Sequence, residues 1–227
     1  MKALRELEAK GRAGDGDAWA TLGMHLRDGV RDGRGRLRVR PNPKRALACF
    51  ERAAALGNAG GLMGLANELS RRGKVRESLA LNRRAARLGE PTALFNAAVD
   101  LRRLGRHRDA VKVLRRLASA GDDSALFELA KAELMGVGTR RTPKLALEHF
   151  ELVVEARRAR DRASDGEREL AMLRIGQTLL DGLLVPFDYG KARHWLAPAS
   201  KAARSPVTGR TRGRRSQRSR SRSARGC

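Results

Sequence analysis

Few residues of this chain have the types and spacing that catalysis or metal binding requires. The four histidines occur singly along the 227 residues. Two of them, His149 and His194, precede an aromatic residue at equivalent points of an internal repeat, and equivalent points of a repeat array lie far apart. The two cysteines, Cys49 and Cys227, provide neither a disulfide framework nor a zinc motif. We therefore expect no metal and no cofactor.

The acidic residues do not indicate an active site either. Glu68, Glu128 and Glu133 are scattered along segments with helical periodicity, where we expect them on the surface. The sequence GDGD at residues 14–17 predicts a turn, because a phosphate-binding loop needs a preceding strand and no strand is predicted. With no catalytic residue to assign, we expect a protein without enzymatic activity.

Positive charge is the strongest chemical signal, and much of it lies in the C-terminal tail, residues 205–227. The chain has a net charge of +24, and this tail contains eight arginines and no acidic residue. The candidate polyanion contacts are Arg210, Arg212, Arg214, Arg215, Arg218, Arg220, Arg222 and Arg225. A segment with so few apolar side chains predicts disorder, and its arginines can neutralise phosphates without recognising a base sequence. Non-specific contact with nucleic acid is therefore one candidate role for the tail.

Two insertions are also candidate contact sites. Residues 29–42 contain five arginines and one aspartate, and residues 155–168 contain both basic and acidic residues. The first insertion predicts a long loop between two helices, and the second predicts an extension of a helix before the chain turns. A solvated insertion is the simpler interpretation of both segments, and a partner contact is the alternative.

An internal repeat indicates the elements that must position these residues. Gly57, Gly89 and Gly121 are separated by two equal intervals of 32 residues, and Gly14 and Gly166 extend the series at longer intervals. Small residues follow in the same order at Ala46, Ser78, Ala110, Ala146 and Ala192. The apolar residues between these markers have helical spacing. Each unit therefore predicts two helices, the second of which is closed by its glycine in the left-handed conformation.

Five such units predict an all-α fold, an α-solenoid of about five antiparallel helix pairs, because stacked pairs share a core that one pair cannot form. Asn58 and Asp122, which directly follow two of the glycines, are expected to cap the next helices. We assign residues 1–16 to an N-terminal capping helix and turn, residues 17–203 to the repeat array and residues 204–227 to the disordered tail.

The composition also bears on location and source. No apolar run approaches the roughly 18 residues that cross a membrane, and the N-terminus lacks a signal-peptide pattern. We therefore expect a cytoplasmic protein with no membrane contact. The excess of Arg over Lys, with abundant Ala and Gly, is also typical of a GC-rich bacterial genome, so charge alone does not identify a nucleic-acid-binding protein.

The repeat resembles a known family at three places. The sequence DGLLVPFDYGKARHWLAPAS, residues 181–200, is similar to the Sel-one-like repeat, a branch of the tetratricopeptide repeats. It shares the glycine turn, the Val-Pro-x-Asp-Tyr linker, a Lys-Ala pair and an aromatic residue. Residues 135–150, MGVGTRRTPKLALEHF, and residues 17–29, DAWATLGMHLRDG, match parts of the same pattern. The resemblance extends over about residues 4–201 and is weaker in the two central units of 32 residues.

The resemblance implies a non-enzymatic scaffold or adaptor. Such a protein binds a segment of another protein on the concave face of the array, which the first helix of each pair lines. By analogy with the family, the candidate groove residues are Met63, Asn67, Phe95, Asn96, Phe127, Lys131, Leu173 and Gln177. The alternative is that the aromatic residues at these positions pack between repeats.

Two of these residues suggest a more specific site. Asn67 and Asn96 resemble the asparagines with which some tetratricopeptide domains hold the terminal carboxylate of a peptide. Met63 and Glu128 stand where such a clamp needs basic residues, so an apolar groove for a partner helix or an extended peptide fits better. Nothing in the sequence identifies the partner.

Overall fold

The computed structural model describes residues 2–159, 166–182, 186 and 188–204. This part of the chain contains eleven α-helices and one β-hairpin. The helices are α1 (Lys2–Arg12), α2 (Gly16–Asp28), α3 (Pro43–Ala55), α4 (Ala59–Arg71), α5 (Val75–Arg87), α6 (Pro91–Arg103), α7 (His107–Ser119), α8 (Asp123–Met135), α9 (Pro143–Ala159), α10 (Gly166–Asp181) and α11 (Tyr189–Arg204). After α1 the helices form five successive pairs, and each helix packs against the next. The predicted α-solenoid is therefore confirmed.

The turns between pairs have the predicted chemistry. Gly57, Gly89 and Gly121 have φ angles of 74°, 89° and 87°, in the left-handed region that favours glycine. Asn58 and Asp122 then cap α4 and α8, because each side chain accepts a hydrogen bond of 2.9 Å from the backbone N–H three residues later. These links are short, so successive helices pack as antiparallel neighbours.

Gly166 does not fit the predicted glycine series, because it begins α10 instead of closing a helix. The preceding helix, α9, runs from Pro143 to Ala159. It therefore extends into the insertion at residues 155–168, as the sequence predicts.

Small residues in the first helices accommodate large side chains of the second helices. A Cβ atom added to Gly23 would lie 2.6 Å from the ring of Phe50, and one added to Gly176 would lie 2.4 Å from Leu196. The sequence pattern alone indicated a close approach of two helix backbones at these positions. At Gly23 and Gly176 the closest obstacle is instead the side chain that fills the centre of the helix pair.

The insertion at residues 29–42 contains the hairpin, so the prediction of no strands is wrong there. Strand β1 (Val30–Arg31) pairs antiparallel with β2 (Leu37–Val39). Asp32 closes the turn, because its Oδ1 atom accepts hydrogen bonds of 2.9 Å from the backbone N–H groups of Arg34 and Arg36. The hairpin connects the two helices of the first pair, α2 and α3.

The largest apolar clusters lie near the two ends of the array. Trp19, Leu22 and Phe50 pack together near the N-terminus, where α1 covers them. Phe150 and Ile175, both fully buried, belong to the cluster between α8 and α11. The clusters in the middle of the array are smaller. None of the described helices is both long enough and apolar enough to span a membrane.

Candidate partner-binding site

Two clefts lie one repeat apart on the first-helix face, the surface lined by α4, α6 and α8. The polar cleft, about 250 Å³, opens between α4 and α6 with α5 at its floor; it is lined by Asn67, Ser70, Arg71, Asn82, Asn96, Val99, Asp100 and Arg103. The apolar cleft, about 160 Å³, opens between α6 and α8 with α7 at its floor; it is lined by Arg102, His107, Ala110, Val111, Leu114, Glu128, Lys131, Ala132, Met135 and Val137.

The two clefts use equivalent positions with different residue types. Six lining residues of the polar cleft have a counterpart 32 residues later in the apolar cleft: Ser70 and Arg102, Asn82 and Leu114, Asn96 and Glu128, Val99 and Lys131, Asp100 and Ala132, Arg103 and Met135. The backbone plan is therefore repeated, and the side chains alone make one floor polar and the other apolar.

A buried hydrogen-bond network forms the floor of the polar cleft. The Asp100 carboxylate, on a residue only 2% exposed, accepts hydrogen bonds from Ser78 Oγ at 2.7 Å, from Asn82 Nδ2 at 2.8 Å and from Ser70 Oγ at 3.1 Å. Arg103 Nη1 in turn donates to Ser70 Oγ at 2.5 Å. Three donors and a nearby guanidinium therefore compensate the buried charge of Asp100.

This network replaces the apolar centre of a normal helix pair. Asn82 occupies the position filled by Phe50, Leu114, Phe150 and Leu196 in the other pairs, and Ser78 occupies a position that is alanine elsewhere. Asn82 is 1% exposed, and its Oδ1 atom has no hydrogen-bond partner among the described residues. A buried polar atom without a partner is uncommon, and among the described residues His107 Nδ1 is the other example.

Two arginines and two asparagines surround the mouth of the polar cleft. Asn67 and Asn96, predicted from the sequence, do line the same cleft. The structure adds Arg71, which pairs with Glu68 at 2.6 Å, and Arg103. The basic residues of such a site were expected at the positions of Met63 and Glu128, and not at these two arginines. Their 32-residue spacing, the interval of the repeat itself, was the available signal.

The apolar cleft has a charged rim around an apolar interior. Glu128 binds both Arg102 and Lys131, the latter at 2.8 Å, and Lys131 also lies 5.4 Å above the ring of Phe127. Met135 is 69% exposed at the edge of the cleft. His107 Nδ1 at the other end is buried without a hydrogen-bond partner among the described residues. The interior can accept a small apolar side chain.

The predicted apolar groove residues are distributed differently from the expectation. Phe127 is 2% exposed and makes an edge-to-face contact with Phe150 at 5.6 Å, so it belongs to the core and is removed from the candidate groove. Met63 and Phe95 are half-buried and pack against clusters between helices. Phe127 therefore fits the alternative interpretation, packing between repeats, whereas Met63 and Phe95 are partly exposed and remain candidates.

Of the three remaining groove candidates, one lines a cleft and two lie elsewhere. Lys131 is at the rim of the apolar cleft. Leu173 is half-buried and Gln177 is exposed on α10, and neither lines one of the two clefts. Of the eight candidate groove residues, Asn67 and Asn96 line the polar cleft and Lys131 lines the apolar cleft.

Side-chain hydrogen bonds order the arginine-rich hairpin, which the simpler interpretation of the sequence treated as a solvated insertion. Asp32 Oδ2 accepts hydrogen bonds from Nε of Arg36 and of Arg38, each at 3.0 Å. The backbone N–H of Arg36 is the largest of several hydrogen bonds that lower the pKa of the Asp32 carboxyl. Asp32 therefore binds the side chains of two of the five arginines in residues 29–42. The eight arginines of residues 205–227 lie outside the described residues.

Glu133 and two of the histidines have partners within the fold. Glu133, expected on the surface, is instead 2% exposed, and its Oε2 lies 2.8 Å from Nδ1 of His149. His194 makes an edge-to-face contact with Trp195. Burial raises the pKa of the Cys49 thiol, which suits a core residue. In the described part of the chain, no three His, Cys, Asp or Glu side chains come close enough together to hold a metal ion.

Three segments of the chain are similar to a known repeat family. The family model described as Sel1 repeat matches residues 25–58, 123–153 and 169–203. The central units between residues 58 and 123 lie outside these matches, in agreement with their weaker resemblance. Curated protein sequences give no significant match.

Solved structures with similar folds support the same architecture. One is c5321, a protective antigen of uropathogenic Escherichia coli with an SLR fold, at 24% identity and a TM-score of 0.67. The alignment covers 86% of the present chain but only 40% of that protein. Another is a Sel1 repeat protein from Oxalobacter formigenes, at 20% identity and a TM-score of 0.63, covering 83% and 71% of the two chains.

A third similar structure belongs to the wider tetratricopeptide group. YrrB, a TPR protein with an unusual peptide-binding site, is 18% identical with a TM-score of 0.54, and the alignment covers 89% of the present chain and 92% of YrrB. Similarity at these identities shows the fold alone.

Proposed function

Since three segments of this chain are Sel1 repeats within an α-solenoid, we propose that the protein is a non-enzymatic adaptor that binds a segment of another protein on its concave, first-helix face. Solenoids of helix pairs offer extended surfaces of this kind. The absence of enzymatic activity and the cytoplasmic location are predictions from the sequence and belong to the same proposal.

One observation carries the proposal. Two clefts of side-chain size open on the same face, one repeat apart, and both are lined by first helices. A segment that runs across successive first helices would contact both clefts. The proposal is also supported by YrrB, a protein of similar fold that has a peptide-binding site of its own.

Affinity capture with matched variants tests the proposal. The full chain is used as bait beside Asn67→Ala/Asn96→Ala, which alters the mouth of the polar cleft, and Arg84→Ala/Arg87→Ala, which alters the exposed part of α5. We expect a partner whose affinity, remeasured with purified protein, falls for the first variant and not for the second. Equal affinity for all three proteins would contradict binding on the first-helix face.

Nucleic-acid association through the tail and the arginine-rich hairpin is the alternative function. It is supported by charge alone, since the tail adds eight positive charges and the hairpin segment five arginines. Binding that depends on these arginines and is unaffected by the cleft variants would favour the alternative.

A further inference from the structure

We infer that the two clefts hold two side chains of one extended partner segment: the carboxamide of Asn or Gln in the polar cleft and an aliphatic side chain in the apolar cleft. This inference rests on the proposed function and specifies the chemistry of the partner. It follows from the different floors of two clefts that otherwise share one backbone plan.

The unpaired acceptor at the floor of the polar cleft is the starting point. The Asp100 carboxylate accepts hydrogen bonds only, so the NH₂ group of Asn82 must face it, at 2.8 Å. This fixes the amide orientation and leaves Asn82 Oδ1 as a buried acceptor without a partner among the described residues. The atom has almost no accessible surface, so Asn82 must shift toward the cleft for a ligand N–H group to reach it. That contact would satisfy a hydrogen bond that the protein does not.

The surroundings favour a neutral donor over a charged one. A carboxylate at the floor would meet Asn82 Oδ1 and the buried Asp100, which repel it. An ammonium group would have to pass Arg71 and Arg103 at the mouth. A carboxamide avoids both penalties, because its NH₂ can donate to Asn82 Oδ1 while its oxygen accepts from the amides or guanidinium above.

The apolar cleft complements an aliphatic side chain. Its floor residue is Leu114 and the counterpart of Asp100 is Ala132, so neither position offers a polar partner. The Nδ1 atom of His107, unpaired among the described residues, belongs to the other end of the cleft, away from Met135. Its three rim charges, Arg102, Glu128 and Lys131, are already paired with one another. A Leu or Met side chain would bury apolar surface without breaking those pairs.

The repeat geometry suggests the spacing of the two side chains. Successive first helices, α4 and α6 or α6 and α8, are not among the closely packed helix pairs. The two clefts therefore lie at least one packed-helix spacing apart, about 8–10 Å. Three residues of a polyproline II chain span about 9 Å, and residues three apart point to the same side of such a chain. Positions i and i+3 of an extended segment are therefore the shortest spacing at which a Gln and a Leu reach both clefts from one side of the chain.

The probes are fluorescently labelled peptides that consist of Ala and Pro except at the two tested positions. One peptide carries Gln and Leu three residues apart, and a second has the two in reverse order. Further peptides replace Gln by Glu, Lys or Leu, and fluorescence anisotropy with the full chain measures each affinity. We expect one order to bind best, with a preference of about fivefold for Gln over each replacement, as for one neutral hydrogen bond. Equal or tighter binding of the Glu or Lys peptide would overturn the inference.

A triple variant separates recognition from folding. Ser78→Ala/Asn82→Leu/Asp100→Ala gives the polar cleft the residue types of its neighbour, Ala110, Leu114 and Ala132. We expect this protein to fold, as circular dichroism would report, and to lose the preference for Gln. The matched variant Ala132→Leu, which fills the apolar cleft, should lower affinity for the Leu side chain and keep the preference for Gln. A folded triple variant that keeps the preference would refute the assignment.

The inference and the proposed function can fail separately. If a captured partner loses affinity with Asn67→Ala/Asn96→Ala but binds the triple variant as well as it binds the parent protein, the first-helix face is the binding surface and the carboxamide assignment is wrong. If neither variant changes its affinity, the proposed surface is wrong as well.

Discussion

The polar and apolar clefts occupy the same place in successive repeats, yet their floors differ in kind. Leu114 continues the apolar centre of its helix pair, whereas Asn82, at the same position 32 residues earlier, joins a network around Asp100. In a solenoid each repeat contacts only its neighbours, so one pair can exchange its apolar centre for a polar one while the array persists. Within a regular backbone, one helix pair has therefore exchanged apolar packing for hydrogen bonds.

The largest effect is expected where a first-helix residue belongs to the core. Phe127→Ala should lower the free energy of unfolding by about 3–5 kcal/mol, because it removes a buried aromatic side chain. Its counterpart Phe95, which is half-buried, should cost about half as much or less when changed to Ala. Urea denaturation of both variants measures the difference. Equal losses would mean that the two positions are equally buried.

The next effect concerns the polar floor itself. Asp100→Ala should destabilise the protein by about 2–3 kcal/mol, because Ser78 Oγ and Asn82 Nδ2 lose their acceptor while remaining buried. The triple variant that makes this floor apolar should be as stable as the parent protein or more stable, since a buried ionic network often contributes little compared with good packing. Denaturation midpoints that rank the triple variant below Asp100→Ala would contradict this explanation.

A smaller, pH-dependent effect is expected in the hairpin. The folded pKa of Asp32 is lowered, so its carboxylate stabilises the hairpin above the ordinary Asp pKa, and this contribution disappears as the pH falls below about 4. Amide exchange at Arg34 and Arg36 should therefore speed up in acid relative to the helices, after correction for intrinsic rates. Asp32→Asn should weaken protection at neutral pH and remove its acid dependence. Acid-insensitive protection in the parent chain would count against this role for Asp32.

The smallest effect on the fold is expected from removing residues 205–227. These residues contain few apolar side chains, so the melting temperature should stay nearly unchanged. Affinity for duplex DNA should fall instead. In the intact chain, eight phosphate contacts would give a slope of log affinity against log salt of roughly −7, and fewer contacts a shallower one. If the truncated chain kept its DNA affinity, the contacts would have to lie elsewhere, with the hairpin arginines as the first candidates.

The sequence predicted the architecture because that architecture is encoded locally and repeatedly. A left-handed glycine, a cap residue such as Asn58 and small residues at helical spacing each act within a few positions of the chain, and the 32-residue interval shows how often they recur. The hairpin was missed because its two strands have only five residues in all and its turn depends on one side chain, Asp32. Its arginines suggested a loop, and the aspartate that orders them has no periodic signature.

The sequence by itself determined the number of helix pairs and the glycine turns at residues 57, 89 and 121. Only the tertiary structure decided which first-helix side chains are buried, since Phe95 and Phe127 occupy the same sequence register but pack against different neighbours. It also brought Ser70, Ser78, Asn82 and Asp100 from three helices into one network. The physical reason is that periodicity fixes the direction of a side chain from its own helix, whereas burial and hydrogen bonding depend on the residues that other helices place opposite it.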